Sequence, residues 1–136
     1  MSGFSYEKDA DNIVTITMDL AGPVNAMGEE FSVEYPQTVE RLEKEKDEIA
    51  GVIVTSAKKI FFAGGDLKQL VQYRKENIDT IFSGVERTKS YMRRLELLGK
   101  PVVAAINGTA LGGGLELCLA MHHRVAINDP KTQLGL

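Results

Sequence analysis

The chain has 136 residues, 43% of them hydrophobic and 26% charged, a balance that suits one folded domain or a large piece of one and excludes a disordered segment. Acidic residues outnumber basic ones 19 to 16, and the net charge of −3 argues against a nucleic-acid binder, whose surface must meet phosphates with basic groups. The single cysteine, Cys118, excludes an intrachain disulfide and a multi-cysteine zinc cluster and fits a reducing compartment.

Strands and helices alternate along the sequence. Residues 4–8 and 12–18 read as two strands around an Asp-Ala-Asp-Asn turn. Phe31, Tyr35, Val39, Leu42 and Ile49 recur at helical spacing and predict a helix over 28–48, which Pro36 is expected to kink or restart. The dense mixture of Glu and Lys from Glu40 to Glu48 reads as a solvated helix face. The β-branched run Gly51-Val52-Ile53-Val54-Thr55-Ser56 predicts a buried strand, followed by a loop over 57–66 and a short helix over 67–73. A longer helix over 77–98 carries Ile81, Val85, Met92 and Leu95 on one stripe and stops at Gly99. Val102-Val103-Ala104-Ala105-Ile106 predicts another buried strand, Asn107-Gly108 a turn, 112–121 a helix and 124–127 a last strand. Such alternation predicts an α/β fold with right-handed crossovers. Gln133-Leu134-Gly135-Leu136 reads as the start of another element, so the chain is expected to be the N-terminal portion of a longer single domain. The polar start Met1 to Glu7 lacks a secretory signal and no apolar run is long enough to cross a bilayer; the expected location is cytoplasmic.

Six of the 13 glycines fall in two loops, Gly64 and Gly65, then Gly108, Gly112, Gly113 and Gly114. Each loop follows an apolar strand and precedes a helix. Two readings stand. The glycines make tight turns, or they let two loops present backbone amides to one oxygen, as an oxyanion hole requires. The helix that follows the second loop is apolar except at Glu116. A helix apolar all round is normally buried, and a buried carboxylate would suit general acid/base work; alternatively Glu116 simply complements the dipole from the first turn.

Other polar positions carry weaker signals. Asp66 reads as the N-cap of the helix it precedes, and Asn25 as a turn or cap residue. Lys58, Lys59 and Lys68 flank the first loop, where a phosphate role competes with ordinary exposure. His122 and His123 are adjacent and lack a spaced ligand set, so no metal is expected; Cys118 reads as a packed small hydrophobe. Gly112 and Gly114 fit the first two glycines of a dinucleotide fingerprint, but the third position falls on Leu117, which leaves the nicotinamide signal weak.

Three segments together resemble the crotonase, or enoyl-CoA hydratase/isomerase, superfamily. They are Pro23-Val24-Asn25-Ala26-Met27, then Lys59-Ile60-Phe61-Phe62-Ala63-Gly64-Gly65-Asp66-Leu67, then the stretch from Lys100-Pro101 through Asn107-Gly108 to Ala110-Leu111-Gly112-Gly113-Gly114-Leu115-Glu116-Leu117. The run Cys118 to Ala126 further resembles the hydratase part of bacterial multifunctional fatty-acid-oxidation alpha subunits. The resemblance implies a spiral of ββα turns that binds an acyl-CoA thioester, with coenzyme A entering as part of the substrate and no permanently bound cofactor. It implies that amides at Ala63 and Gly113 hold the thioester oxygen and that Glu116 is one of two catalytic carboxylates. It further implies that Ala26, Ala63, Gly64, Asp66, Leu67, Leu111, Gly112 and Gly113 line the acyl-CoA groove. The implied reaction is addition of water to trans-2-enoyl-CoA in fatty-acid β-oxidation, with the full-length protein in trimer-based homo-oligomers or a multifunctional complex. The family's second glutamate follows a Gly-x-Pro-Glu segment that this sequence does not contain, and Pro36 is unusual in the first long helix. The alternative expectation is therefore a catalytically incomplete acyl-CoA-binding or assembly fragment.

Overall fold

The computed structural model describes residues 3–136; Met1 and Ser2, the first two residues of the polar start read as lacking a signal, lie outside the described residues. Strands β1 (Gly3–Lys8) and β2 (Ile13–Asp19) form an antiparallel hairpin. Its turn is held by Asp9, whose carboxylate accepts from the Asp11 and Ile13 amides, both at 2.9 Å. The chain continues through α1 (Glu29–Glu45), β3 (Gly51–Ser56), α2 (Leu67–Leu70), α3 (Ile78–Glu96), β4 (Val102–Ile106), β5 (Ala110–Leu111), α4 (Gly113–Leu119), β6 (His123–Ala126) and β7 (Leu134–Gly135).

The main sheet has the order β1-β2-β3-β4-β6 and is parallel from β2 onward. A second layer of short parallel rows follows the same path. Met27 bridges Gly65, Phe62 bridges Ala110, and β5 pairs with β7. After each of β2, β3 and β4 the chain thus lays down a short row in the second layer and then a helix, the ββα repeat expected of the spiral. The short row β5 has no periodicity of its own and was not anticipated.

Burial alternates along the main strands as a pleat requires. Val14, Ile16 and Met18 of β2, Val52 and Val54 of β3, and Val102, Ala104 and Ile106 of β4 point into one core. Phe31, Tyr35, Val39 and Leu42 of α1 and Leu117 and Cys118 of α4 cover them. Phe31 stacks on Tyr35 with ring centroids 5.0 Å apart and meets Phe62 edge-on at 5.4 Å. The buried strands expected at β3 and β4 are buried on one face: their alternate residues are only partly covered, and all four residues of β6 are exposed.

Two helices also depart from expectation. Pro36 does not interrupt α1; its ring is buried and the helix runs through it from Glu29 to Glu45. The cost of proline inside a helix is the lost amide that would have met the carbonyl four residues back, here that of Ser32. The Arg87 guanidinium of α3 supplies the missing donor at 2.7 Å. In α3 the expected stripe is realised only at its C-terminal end, where Tyr91 and Leu95 are buried. There Arg94 forks onto Glu43 of α1 at 2.9 and 2.5 Å, and that contact holds the Glu43 carboxyl below its usual range. Val85 and Ile78, toward the N-terminal end, are exposed.

Candidate active site

The three glycine- and asparagine-bearing segments singled out in the sequence lie side by side. Asn25 organises the first contact. Its side chain is fully buried, which corrects its reading as a turn or helix cap. Its Oδ1 accepts from the Leu20 amide at 2.9 Å, and its Nδ2 donates to the Ser56 hydroxyl at 2.9 Å and to the Met18 and Phe61 carbonyls, both at 3.2 Å. One amide group thereby ties the ends of β2 and β3 to the loop after β3. The helix that follows begins at Glu29 with Gly28 at its N-cap position, without a side-chain cap.

The loop after β3 is then held from both sides. The Ala63 amide donates to the Asn25 carbonyl at 2.8 Å, and the Met27 amide donates to the Gly64 carbonyl at 2.7 Å. On the other side the Leu111 amide donates to the Phe62 carbonyl at 3.0 Å. Gly64 takes φ +94°, and a Cβ there would stand 2.8 Å from the Leu111 carbonyl and 3.5 Å from the Gly113 nitrogen. No side chain fits between the loops, so both glycine loops meet backbone to backbone.

This arrangement corrects one expected donor. The Ala63 amide is committed to Asn25 and is not free to hold a ligand oxygen. Two residues on, the Gly65 amide has no hydrogen-bond partner among the described residues, and Gly65 is exposed to the adjacent groove. Gly113, the first residue of α4, likewise offers an amide that the helix cannot satisfy. A Cβ on Gly113 would lie 2.5 Å from Met27 Sδ and 3.6 Å from Glu116 Oε2, so the Glu116 carboxylate folds back toward the start of its own helix.

Glu116 itself is exposed, which corrects the expectation of a buried carboxylate. Only one side of α4 is covered, with Gly114, Leu117 and Cys118 buried, while Leu119 is exposed. Glu116 faces a groove of about 690 Å3 that runs between α1, α2 and α3. Gly65 and Asp66 share its mouth, and Phe31, Leu70, Ile81 and Met92 lie among its walls. A volume of this size falls within the range of small-molecule sites. Of the eight residues expected to line it, only Asp66 does, and Glu116, expected as a catalytic carboxylate, lines it as well. Half-buried Ala26 and buried Gly64 are not part of its lining, nor are Ala63, Gly112 and Gly113, and Leu67 and Leu111 are exposed to solvent. Asp66 also caps α2 as expected, accepting from the Lys68 amide at 2.9 Å. The wall formed by α1 and α3 was missed because its residues belong to ordinary helical stripes with no chemical signature.

Three of the remaining polar candidates have structural tasks. Lys58 donates to the Gly22 carbonyl at 2.6 Å and pairs with Asp19 at 3.1 Å, so it is not free for a phosphate. His122 accepts the Val102 amide on Nδ1 at 2.9 Å and donates from Nε2 to the Glu96 carbonyl at 2.7 Å, which occupies both ring nitrogens. Cys118 is fully buried, its thiol donates to the Gly114 carbonyl at 3.2 Å, and burial pushes its pKa up to about 11. No helix among the described residues is long and apolar enough to cross a membrane.

Comparison with known proteins bears on the family and the fold. Residues 8–135 match the family described as enoyl-CoA hydratase/isomerase. The chain is 38% identical over 135 residues to a fatty acid oxidation complex subunit alpha of Idiomarina loihiensis, covering 98% of this chain and 19% of that protein. Among solved structures, an enoyl-CoA hydratase of Bacillus anthracis superposes with a TM-score of 0.80 at 31% identity, covering 92% of this chain and 47% of that one. An enoyl-CoA hydratase of Geobacillus kaustophilus gives a TM-score of 0.87 over 100% of this chain and 49% of that one; at 23% identity the likeness is one of fold. The chain therefore spans about half the length of these solved relatives and a fifth of the alpha subunit.

Proposed function

The chain belongs to the enoyl-CoA hydratase/isomerase family, and on that premise we propose that its groove binds an acyl-CoA thioester and serves hydration of trans-2-enoyl-CoA. Two amides, Gly65 and Gly113, would hold the thioester oxygen where negative charge develops as water adds to the double bond. Donors already in place for that charge lower the barrier more than they favour the ground-state carbonyl. Glu116, at the mouth of the same groove, would accept a proton from the attacking water, whose oxygen bonds to C3 while the electron pair moves onto the thioester oxygen. Return of the electron pair takes up a proton at C2, which the Glu116 carboxyl protonated in the first step, or solvent water, would supply. Coenzyme A enters as part of the substrate.

The observation that carries this reading is the approach of the two glycine loops beside Glu116, on which no Cβ at Gly64 could intrude. Calorimetric titration of the chain with butanoyl-CoA should give saturable binding, weakened by Gly113→Ala. Absence of binding to the folded chain overturns the reading. A crotonyl-CoA hydration assay then separates two readings. Turnover abolished by Glu116→Gln supports catalysis, whereas binding without turnover supports an incomplete acyl-CoA-binding or assembly piece. By analogy with the alpha-subunit relative, the longer protein would work in fatty-acid β-oxidation within a multifunctional complex or a trimer-based homo-oligomer in the cytoplasm. Residues 1–136 would then be the N-terminal portion of one domain.

A further inference from the structure

We propose that Gly84 sets the acyl-chain selectivity of the groove, leaving room for an extended tail. The inference rests on the acyl-CoA reading above and adds to it a residue and a substrate class. Gly84 lies in the interior of α3 and lines the groove. Glycine there weakens a helix relative to alanine. Its backbone does not call for glycine, since its φ is not in the left-handed region and a Cβ would meet nothing within 4 Å. What its absent side chain leaves is space inside the groove.

The surface around it suits hydrocarbon. Lining residues of α3 extend from Thr80 to Met92, roughly 18 Å of helix axis at ~1.5 Å per residue, with Ile81 and Val85 flanking Gly84. Two hydroxyls on these walls are turned onto backbone. The Thr88 hydroxyl donates to the Gly84 carbonyl at 3.1 Å, and the Ser32 hydroxyl donates to the Glu29 carbonyl at 2.6 Å. The same groove is continuous with Gly65 and Glu116, so a thioester held there can direct its tail along α3 past Gly84.

The test titrates the chain and its Gly84→Ala and Gly84→Leu variants with butanoyl-CoA and decanoyl-CoA, with circular dichroism as the check on folding. The ratio of decanoyl to butanoyl affinity should fall about threefold in Gly84→Ala and about tenfold in Gly84→Leu, as methylenes of the tail are displaced. Gly84→Ala should at the same time melt about 3 °C higher. If Gly84→Leu fails to fold, the alanine variant decides. An unchanged ratio in a folded variant that binds both ligands overturns the role of Gly84 alone. Failure of the unmodified chain to bind either ligand overturns the acyl-CoA reading, and this inference with it.

Discussion

The Ser32 carbonyl of α1 accepts a 2.7 Å hydrogen bond from Arg87 of α3, and Pro36 is what leaves that carbonyl free. A residue that looks like a helix breaker instead creates an acceptor between the two helices that wall the groove. Removing the guanidinium by Arg87→Met should cost about 1 kcal/mol. In a Pro36→Ala background the helix can satisfy Ser32 by itself, so the same change should cost less. A double-mutant cycle by urea denaturation should give a coupling of about 0.5–1 kcal/mol, and additive effects would show the two residues to be independent.

Asn25 is expected to be among the most sensitive positions in the chain. Asn25→Ala strands the Leu20 amide and two carbonyls in the interior and should destabilise by about 3 kcal/mol. Asn25→Asp should be at least as damaging near neutral pH, because it removes the two donors and turns a carboxylate toward the Met18 and Phe61 carbonyls. Chemical denaturation of both variants provides the check. A loss below the level of an ordinary surface change would remove Asn25 from its central role.

Gly64→Ala places a methyl group 2.8 Å from the Leu111 carbonyl at a positive φ. Strain and overlap together should cost about 2–3 kcal/mol. Gly113→Ala differs in kind, because its new methyl meets the end of the Met27 side chain, which can move aside. It should therefore melt closer to the parent than Gly64→Ala while losing more acyl-CoA affinity relative to its stability change.

Cys118 gives a pH signature at the alkaline end. Its thiol has an ordinary pKa of 9.0 when unfolded and about 11 in the folded core. The folded state keeps its proton where the unfolded chain has released it, so stability is unaffected below pH 9 and falls between pH 9 and 11. The slope approaches 1.4 kcal/mol per pH unit at most, by an order-of-magnitude argument. Cys118→Ala should flatten that limb of a pH–stability profile. At pH 8 a disulfide reagent should label the folded thiol far more slowly than the unfolded one.

Much of the fold could be read from periodicity, since strands with alternating burial and helices with a continuous apolar stripe announce themselves. Phe31, Tyr35, Val39 and Leu42 fall where their spacing predicts. The strand pattern alone could not say that only one face of β3 and β4 is well covered, because Ile53 and Val103 are as apolar as their buried neighbours. At the site, glycine clustering marked the two loops that the structure brings together, but whether Ala63 or Gly65 keeps an unpartnered amide depends on which amide the Asn25 carbonyl occupies. That is a long-range hydrogen bond without local signature. Glu116 likewise sits on an apolar helix whose uncovered side no sequence window reveals.

The short second-layer rows have a mechanical corollary. Asn25 to Met27 grips residues 62–65, which grip 110–111, which grip 134–135. The loops that carry Gly65 and Gly113 are thus links in series, each taking its position from the one before. Slack introduced at the first link is handed down to the last, and amide exchange along all four rows should quicken together as one opening unit.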